Sequence, residues 1–306
     1  MLRKLELDTL NAEISSLDFL ISERIEDDPI GASQFLKRKE KLLAKVQTIQ
    51  QHASSAASVG LFFGGSPVFG SRGIDSNFAS SILGKFQSIV SKRYAFLETG
   101  ALSSRGPVPN SNSAKLMITD VARGSFGFIL EENPKEVLAD VDTELKHVVD
   151  DVSGILARIS SADEDIFNEA FEELDNRTLI DVKSFYEELA SSKATLKIVD
   201  NENEYILTLE RINIAKNRMD SVSMSEERDF SVTGKLFLLP SDKRFEIEAE
   251  VEGAPFRGRV SKGFIEANKL RLDDLVGSQA SFRLTARDMY KDGAIINTKY
   301  TLESLI

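Results

Sequence analysis

The sequence predicts an α+β protein with an N-terminal antiparallel helical hairpin, a mixed α/β middle domain and a C-terminal small β-barrel. Three patterns support this fold class. Apolar residues near the start follow a helical spacing, strand and helix signals alternate in the middle, and five strand-like segments and one helix follow at the end. The predicted domains span 1–52, 53–227 and 228–306, and 306 residues are enough for separate cores.

The N-terminal domain carries two amphipathic patterns that are separated by Asp28-Pro29. Proline breaks a helix, so the patterns predict two helices joined by a short turn. The apolar residues assigned to this hairpin are Leu7, Leu10, Ile14, Leu17, Ile21, Leu42, Val46 and Ile49. Two interpretations stay open for them. The hairpin packs only on its own domain, or it acts as a short coiled coil that docks a partner.

The middle domain begins with a strand at 58–63 and a helix from Asp75. A hairpin follows, in which AKLMITDV and SFGFILEE flank a turn at 122–124. The order of these elements predicts a small antiparallel sheet that is covered by a helix. Asn133 and Pro134 form a helix start, so we expect a long helix from there to Ile159.

Further helix and strand signals complete the middle domain. Ser161, with Glu164 three residues later, predicts the start of another helix. A third helix is expected at 177–190, and a polar turn at 200–203 separates the two strands of one more hairpin. A helix at about 210–220 then leads into the C-terminal domain.

The C-terminal domain has the clearest pattern of the chain. We predict a helix at 262–270 and strands at 229–239, 244–252, 255–260, 278–287 and 293–304. Three strands, a helix and two strands resemble the oligonucleotide/oligosaccharide-binding fold, and a variant of an SH3-like barrel also fits. The resemblance rests on the order of the elements alone.

The segment RFEIEAEVEGAPFRGRV at 244–260 raises the question of what its arginines bind. A two-residue turn at Gly253-Ala254 predicts that Glu250 faces Arg257 and that Glu248 faces Arg259. Opposed charges of this kind stabilise a sheet, so we expect these arginines to be neutralised, which disfavours nucleic acid as a partner.

Another basic set supports the alternative of nucleic-acid binding by the barrel. Its members are Lys262, Arg283, Arg287 and Lys291. Asp288 and Asp292 lie among them, which favours a solvated edge of mixed charge. Exposed rings would indicate nucleic-acid binding, and inward-facing rings would argue against it. The candidate rings are Phe237, Phe256, Phe264, Phe282, Tyr290 and Tyr300.

The composition restricts the enzyme chemistry. There is no cysteine, and His52 and His147 are the two histidines, so thiol nucleophiles and zinc sites are disfavoured. The loop 65–72 has the glycine spacing of a phosphate-binding loop, but Ser71 stands where that motif has lysine. We therefore assign no catalytic residue, metal ligand or cofactor.

An acidic helix face offers one further alternative. Asp165, Glu169 and Glu172 share a face and could hold Mg²⁺, but a charged face is also the ordinary exterior of an amphipathic helix. The net charge is −11, and residues 130–228 hold 25 of the 49 acidic side chains. This acidic middle domain should repel polyanions.

These observations favour a non-catalytic interaction or adaptor protein over an enzyme. We expect it to be cytoplasmic, to make no membrane contact and to be a regulatory component of a larger assembly. Its partners would be itself, another protein or both, bound through the N-terminal hairpin. The alternative is a nucleic-acid-binding protein that uses the barrel.

Overall fold

The computed structural model describes residues 2–24, 28–51, 55–100, 102, 106–122, 126–133, 141–239, 244–249 and 253–306. It has the predicted fold class: an N-terminal pair of helices, a mixed α/β middle and a closed five-stranded barrel. Within the described ranges, no helix is both long and apolar enough to cross a membrane.

The helices have the following bounds: α1 Arg3–Arg24, α2 Pro29–Gln51, α3 Ser76–Thr99, α4 Glu144–Ile159, α5 Glu164–Glu173, α6 Asn176–Ser191, α7 Leu209–Ser221, α8 Lys262–Asn268 and α9 Leu272–Leu275. The strands have the following bounds: β1 Ser58–Gly65, β2 Val68–Phe69, β3 Gly73–Ile74, β4 Leu116–Ala122, β5 Phe126–Glu132, β6 Ala194–Val199, β7 Glu204–Leu207, β8 Val222–Met224, β9 Arg228–Leu239, β10 Arg244–Ala249, β11 Phe256–Val260, β12 Gln279–Lys291 and β13 Ala294–Leu305.

The chain forms two compact units from interleaved segments. The sheet unit comprises Met1–Asp75, Lys115–Ala157 and Lys193–Thr208. The barrel unit comprises Ser76–Ala114, Arg158–Ser192 and Leu209–Ile306. The sequence-based boundaries at 52 and 227 stay a prediction.

The sheet unit contains the helical hairpin and an antiparallel sheet in the order β4-β5-β1-β6-β7. The apolar run of β1 suits the central strand, where Leu61, Phe62 and Phe63 are all buried. Leu2, just before α1, packs in one cluster with Phe62 and Ile129. The start of the hairpin is thereby anchored on the sheet.

The long helix predicted from Asn133 is corrected in part. Residues 134–140 lie outside the described ranges, but 141–143 are not helical, and α4 begins at Glu144. The hydroxyl of Thr143 accepts a hydrogen bond from the Lys146 amide and so caps the helix. The helix α3 belongs to the barrel unit, and its position over the small sheet stays a prediction.

The barrel unit combines the C-terminal strands with helices from two earlier segments. The barrel closes in the order β9-β10-β11-β13-β12-β9, in which β11 and β13 are parallel and the other pairs are antiparallel. Phe264 of α8 contributes to the barrel core with Phe245, Ile247, Phe282, Leu284 and Leu302. The parallel pair, with α8 and α9 between its strands in sequence, differs from an all-antiparallel meander.

Candidate functional site

The predicted interaction residues of the hairpin lie mainly between its own two helices. Leu10, Ile14, Leu17, Ile21 and Val46 are buried. The other three, Leu7, Leu42 and Ile49, pack half-buried against the cluster of Leu10, Ile14 and Val46. These side chains therefore hold the hairpin together, and the apolar side chains that it exposes are different ones.

The pairing of β10 with β11 differs from the predicted register. Arg257 lies opposite Glu246, and Arg259 lies opposite Arg244. Arg257 donates two hydrogen bonds to the Glu246 carboxylate, at 2.8 and 3.1 Å. The predicted pairs of Arg257 with Glu250 and of Arg259 with Glu248 are wrong, because β10 pairs with β11 in a register displaced by four residues.

An open groove runs over the outer face of β9, β10 and β11. Its lining includes Phe237, Arg244, Arg257, Arg259 and Val276. Phe237 is 37% exposed, and the side-chain amine of Lys235 lies 5.4 Å from the centroid of its ring. The groove therefore combines an exposed ring with several cations.

The other candidate rings mostly face inward. Phe264 and Phe282 are fully buried in the barrel core. Phe256 and Tyr300 stack edge-to-face with centroids 5.2 Å apart, and both pack against that core. Phe237 is therefore the ring best placed to contact a ligand in the groove.

Three members of the second basic set are paired with acidic side chains. Lys262 pairs with Glu98 at 3.4 Å, Arg287 with Glu227 at 2.5 Å, and Lys291 with Glu164. These three acids belong to three different segments of the barrel unit. Arg283 is exposed on β12, opposite Ser304. Their role as nucleic-acid contacts stays a prediction.

A cavity of about 350 Å³ lies beside this groove, within the barrel unit. One wall is the outer face of β11, β12 and β13, which contributes four cations: Arg257, Arg259, Arg287 and Lys299. The opposite wall comes from the end of α3 and from 172–175, which include the last two residues of α5 and the two residues before α6. Its size falls in the range of small-ligand sites.

Among the cations that line the cavity, Lys299 has the most strongly shifted pKa. Its amine donates a hydrogen bond to the backbone carbonyl of Leu174. Burial lowers the pKa of Lys299 to about 7, and Arg259 and Arg93 add to this decrease, whereas Asp175 and Glu172 oppose it. A strongly shifted pKa inside a cavity is a common property of binding sites.

Two of the acidic side chains around the cavity, Glu173 and Asp175, have partners of their own. Glu173 accepts two hydrogen bonds from Arg158, at 2.7 and 2.8 Å, and this contact holds the pKa of Glu173 below its usual value. Asp175 caps α6 by accepting the amides of Arg177 and Thr178. These contacts reduce the negative charge that a ligand in the cavity would meet.

The sequence offered two other candidate sites, the loop with the glycine spacing and the acidic face of α5. The segment from Pro67 to Ile74 forms the β2–β3 hairpin, in which the amides of Arg72 and Asp75 bond to backbone carbonyls and so do not point at a ligand. Asp165, Glu169 and Glu172 are exposed on α5. Within the described residues, no group of histidine and carboxylate side chains could hold a metal ion.

His147 is exposed on α4, in the sheet unit, and His52 lies outside the described residues. The turn at 122–124 and Glu250 also lie wholly or partly outside them.

Sequence reasoning did not find Lys299 or Arg244. The alternation of β13 places Lys299 and Thr301 on one face, but only the register with β12 shows that Lys299 lies opposite Arg287. No pattern in the sequence singled out Arg244, because the residue that lies opposite it depends on the register of β10 and β11. Both residues became candidates only through strand pairing.

No protein-family model matches this chain, and neither the curated proteins nor the solved structures contain a match to it.

Proposed function

We propose that this chain is a non-catalytic protein that binds single-stranded nucleic acid in the groove over β9, β10 and β11. The observation that carries the proposal is the exposed Phe237 ring, which lies in a groove lined by Arg244, Arg257 and Arg259. Proteins that bind single strands combine such a basic groove with rings on which bases stack.

The charges of the groove are compatible with a phosphate backbone. The pair of Arg257 with Glu246 is solvent-exposed, with 69% of the arginine side chain accessible. Exposed ion pairs contribute little stability, so a phosphate can replace Glu246 as the partner at small cost. Arg244 and Arg259 place two like charges opposite each other, which favours an anion nearby.

The strand order of the barrel gives independent support. It resembles that of oligonucleotide/oligosaccharide-binding barrels, which hold their ligands on the second and third strands. In this chain those strands are β10 and β11, and both line the groove.

Binding can be measured by fluorescence anisotropy with a labelled single-stranded oligonucleotide. We expect Phe237→Ala to weaken binding by about 1–3 kcal/mol, since one stacked base is lost. Arg244→Gln should reduce the salt dependence by about one phosphate contact. Lys269→Gln removes an exposed cation outside the groove and should have no effect. Equal affinities for wild type and Phe237→Ala would refute the proposal.

Self-association through the helical hairpin is a second candidate function. Phe19 on α1 and Leu36 and Leu43 on α2 are exposed apolar side chains. The helix α2 has five basic residues and one acidic residue, and α1 is acidic overall. These charges pair within the hairpin, as Arg38 does with Glu13 and Lys39 with Asp18, so the exposed apolar side chains carry this candidate.

Light scattering coupled to size-exclusion chromatography tests this second candidate. We expect a dimer that the double substitution of Phe19 and Leu43 by lysine converts to a monomer. Leu270→Lys is the matched control, since Leu270 is 97% exposed in the barrel unit. A wild-type mass of one chain would contradict self-association. A cytoplasmic location and membership of a larger assembly stay predictions.

A further inference from the structure

The cavity beside the groove brings three cations together on adjacent strands. Arg287 of β12 lies directly opposite Lys299 of β13, and Arg259 of β11 lies opposite Thr301, two residues further along β13. All three line the cavity. Like charges opposite each other destabilise a sheet, and a bound anion relieves that repulsion.

Two of these cations have donor groups for a ligand. The Nε–H group of Arg287 is buried and has no hydrogen-bond partner, while its Nη2 donates to Glu227. The atom has no surface open to the cavity, so a ligand oxygen reaches it only when the Arg287 side chain shifts, and that contact would then satisfy a costly unpaired donor. Lys299 donates to the carbonyl of Leu174, which leaves two of its three ammonium protons available.

We propose that the cavity binds a phosphate monoester, with the phosphate between Arg287, Lys299 and Arg259. A phosphate dianion offers three acceptor oxygens and a charge near −2, which matches several cations better than a single carboxylate does. The fork of an arginine fits phosphate geometry. Phe96 and Leu102 supply an apolar wall for the organic part of the ligand.

This inference goes beyond the groove and does not depend on it. A phosphate monoester has two sources: a free nucleoside monophosphate, or the phosphorylated end of a nucleic-acid strand. The cavity and the groove share Arg257, Gly258 and Arg259, so a strand in the groove can end in the cavity. The two sources share their chemistry and are separated by experiment.

Calorimetric titration of the full chain with adenosine 5′-monophosphate and with adenosine tests the inference. At about pH 6.5 the phosphate is mostly dianionic, since its second pKa is about 6, and Lys299, whose pKa burial lowers to about 7, is mostly charged. We expect the monophosphate to bind about 10- to 100-fold more tightly than the nucleoside. Equal affinity, or no binding of the monophosphate, would overturn the proposal.

Two substitutions locate the site. Lys299→Met removes the ammonium group, and Arg287→Lys keeps a positive charge near Glu227 but removes the Nε–H donor. Each should weaken the binding of adenosine 5′-monophosphate by about tenfold or more, since each removes a charge-assisted hydrogen bond. Lys269→Gln, outside the cavity, should bind as wild type does. If both cavity variants bind like wild type, the cavity is not the site.

Oligonucleotides that carry a 5′-phosphate or a 5′-hydroxyl identify the source. Tighter binding of the phosphorylated strand, lost in Lys299→Met, supports strand ends as the ligand. If only the free monophosphate binds, the cavity proposal holds and the groove proposal fails. If both strands bind equally and the monophosphate does not, the groove proposal holds and the cavity proposal fails.

Discussion

Arg244 and Arg259 lie directly opposite each other on the outer face of β10 and β11. The sequence predicts a glutamate opposite each arginine of β11, and only Arg257 has one, in Glu246. The partner of Arg257 is displaced by four residues from the predicted Glu250. Because that shift is even, every side chain keeps its face of the strand while its partner changes. The altered pairing makes the groove more basic than the sequence suggests.

The observed register predicts which glutamate competes with a nucleic-acid ligand. Glu246→Gln removes the carboxylate that binds Arg257. We expect single-strand affinity to rise slightly, since the exposed ion pair that competes with the ligand contributes little stability. Glu248→Gln is the control, since Glu248 lies opposite Lys235. Anisotropy measurements in which Glu248→Gln has the larger effect would contradict this register.

Asp150 on α4 predicts a pH-dependent stability of the sheet unit. Burial and the neighbouring Asp200 carboxylate raise the pKa of Asp150 to about 6. Between about pH 4 and pH 6 the folded chain therefore binds more protons than the unfolded chain, and stability falls as the pH rises. Asp150→Asn should be about 1–2 kcal/mol more stable than wild type at neutral pH.

Urea denaturation at a series of pH values measures this effect. Asp274→Asn, which changes an exposed carboxylate on α9, should leave the pH profile unaltered. A decrease in stability of Asp150→Asn at neutral pH would show that the charged carboxylate has a stabilising partner.

Lys299 predicts the opposite trend at higher pH. Its pKa of about 7 lies below the ordinary lysine value of about 10.4. Between these values the unfolded chain binds more protons, so stability rises with pH. The groups that face Lys299 are Arg93, Arg259 and Arg287, which repel its charge, and Glu172 and Asp175, which favour it.

Denaturation of Lys299→Met should be measured between about pH 7 and pH 10. The stability of this variant should not show the rise with pH that the lowered pKa of Lys299 predicts for wild type. Adenosine 5′-monophosphate should also reduce the rise in wild type, because the phosphate favours the charged lysine. The same rise in wild type and in Lys299→Met would assign it to another group.

The hairpin seam predicts a stability effect that is independent of any partner. Ile14 is buried in the cluster with Leu10 and Val46. Ile14→Ala should lower the free energy of unfolding of the hairpin by about 2–4 kcal/mol, since it leaves a cavity between the helices. Ile30 is 79% exposed, so Ile30→Ala should change stability by less than about 0.5 kcal/mol. Hydrogen exchange of α1 and α2 measures both effects, and equal protection in the two variants would contradict this packing.

Much of the fold could be predicted because it depends on local periodicity. The spacing of Leu10, Ile14 and Leu17 predicts α1, and the alternation in 244–249 predicts β10. The start of α4 was predicted too early, because the apolar pattern continues on both sides of Thr143, the residue that caps the helix. The candidate site was found only in part, because Lys299 and Leu174 meet from positions 125 residues apart.

The sequence by itself determined the order and type of the elements and the fold class of the protein. It did so because the helical and strand periods of apolar residues decide which face of each element is buried. Only the tertiary structure decided that Glu246 binds Arg257, that Arg287 lies opposite Lys299, and that a cavity lies beside them. Strand register and the packing of distant segments set these contacts, and neither is encoded in the spacing of neighbouring residues.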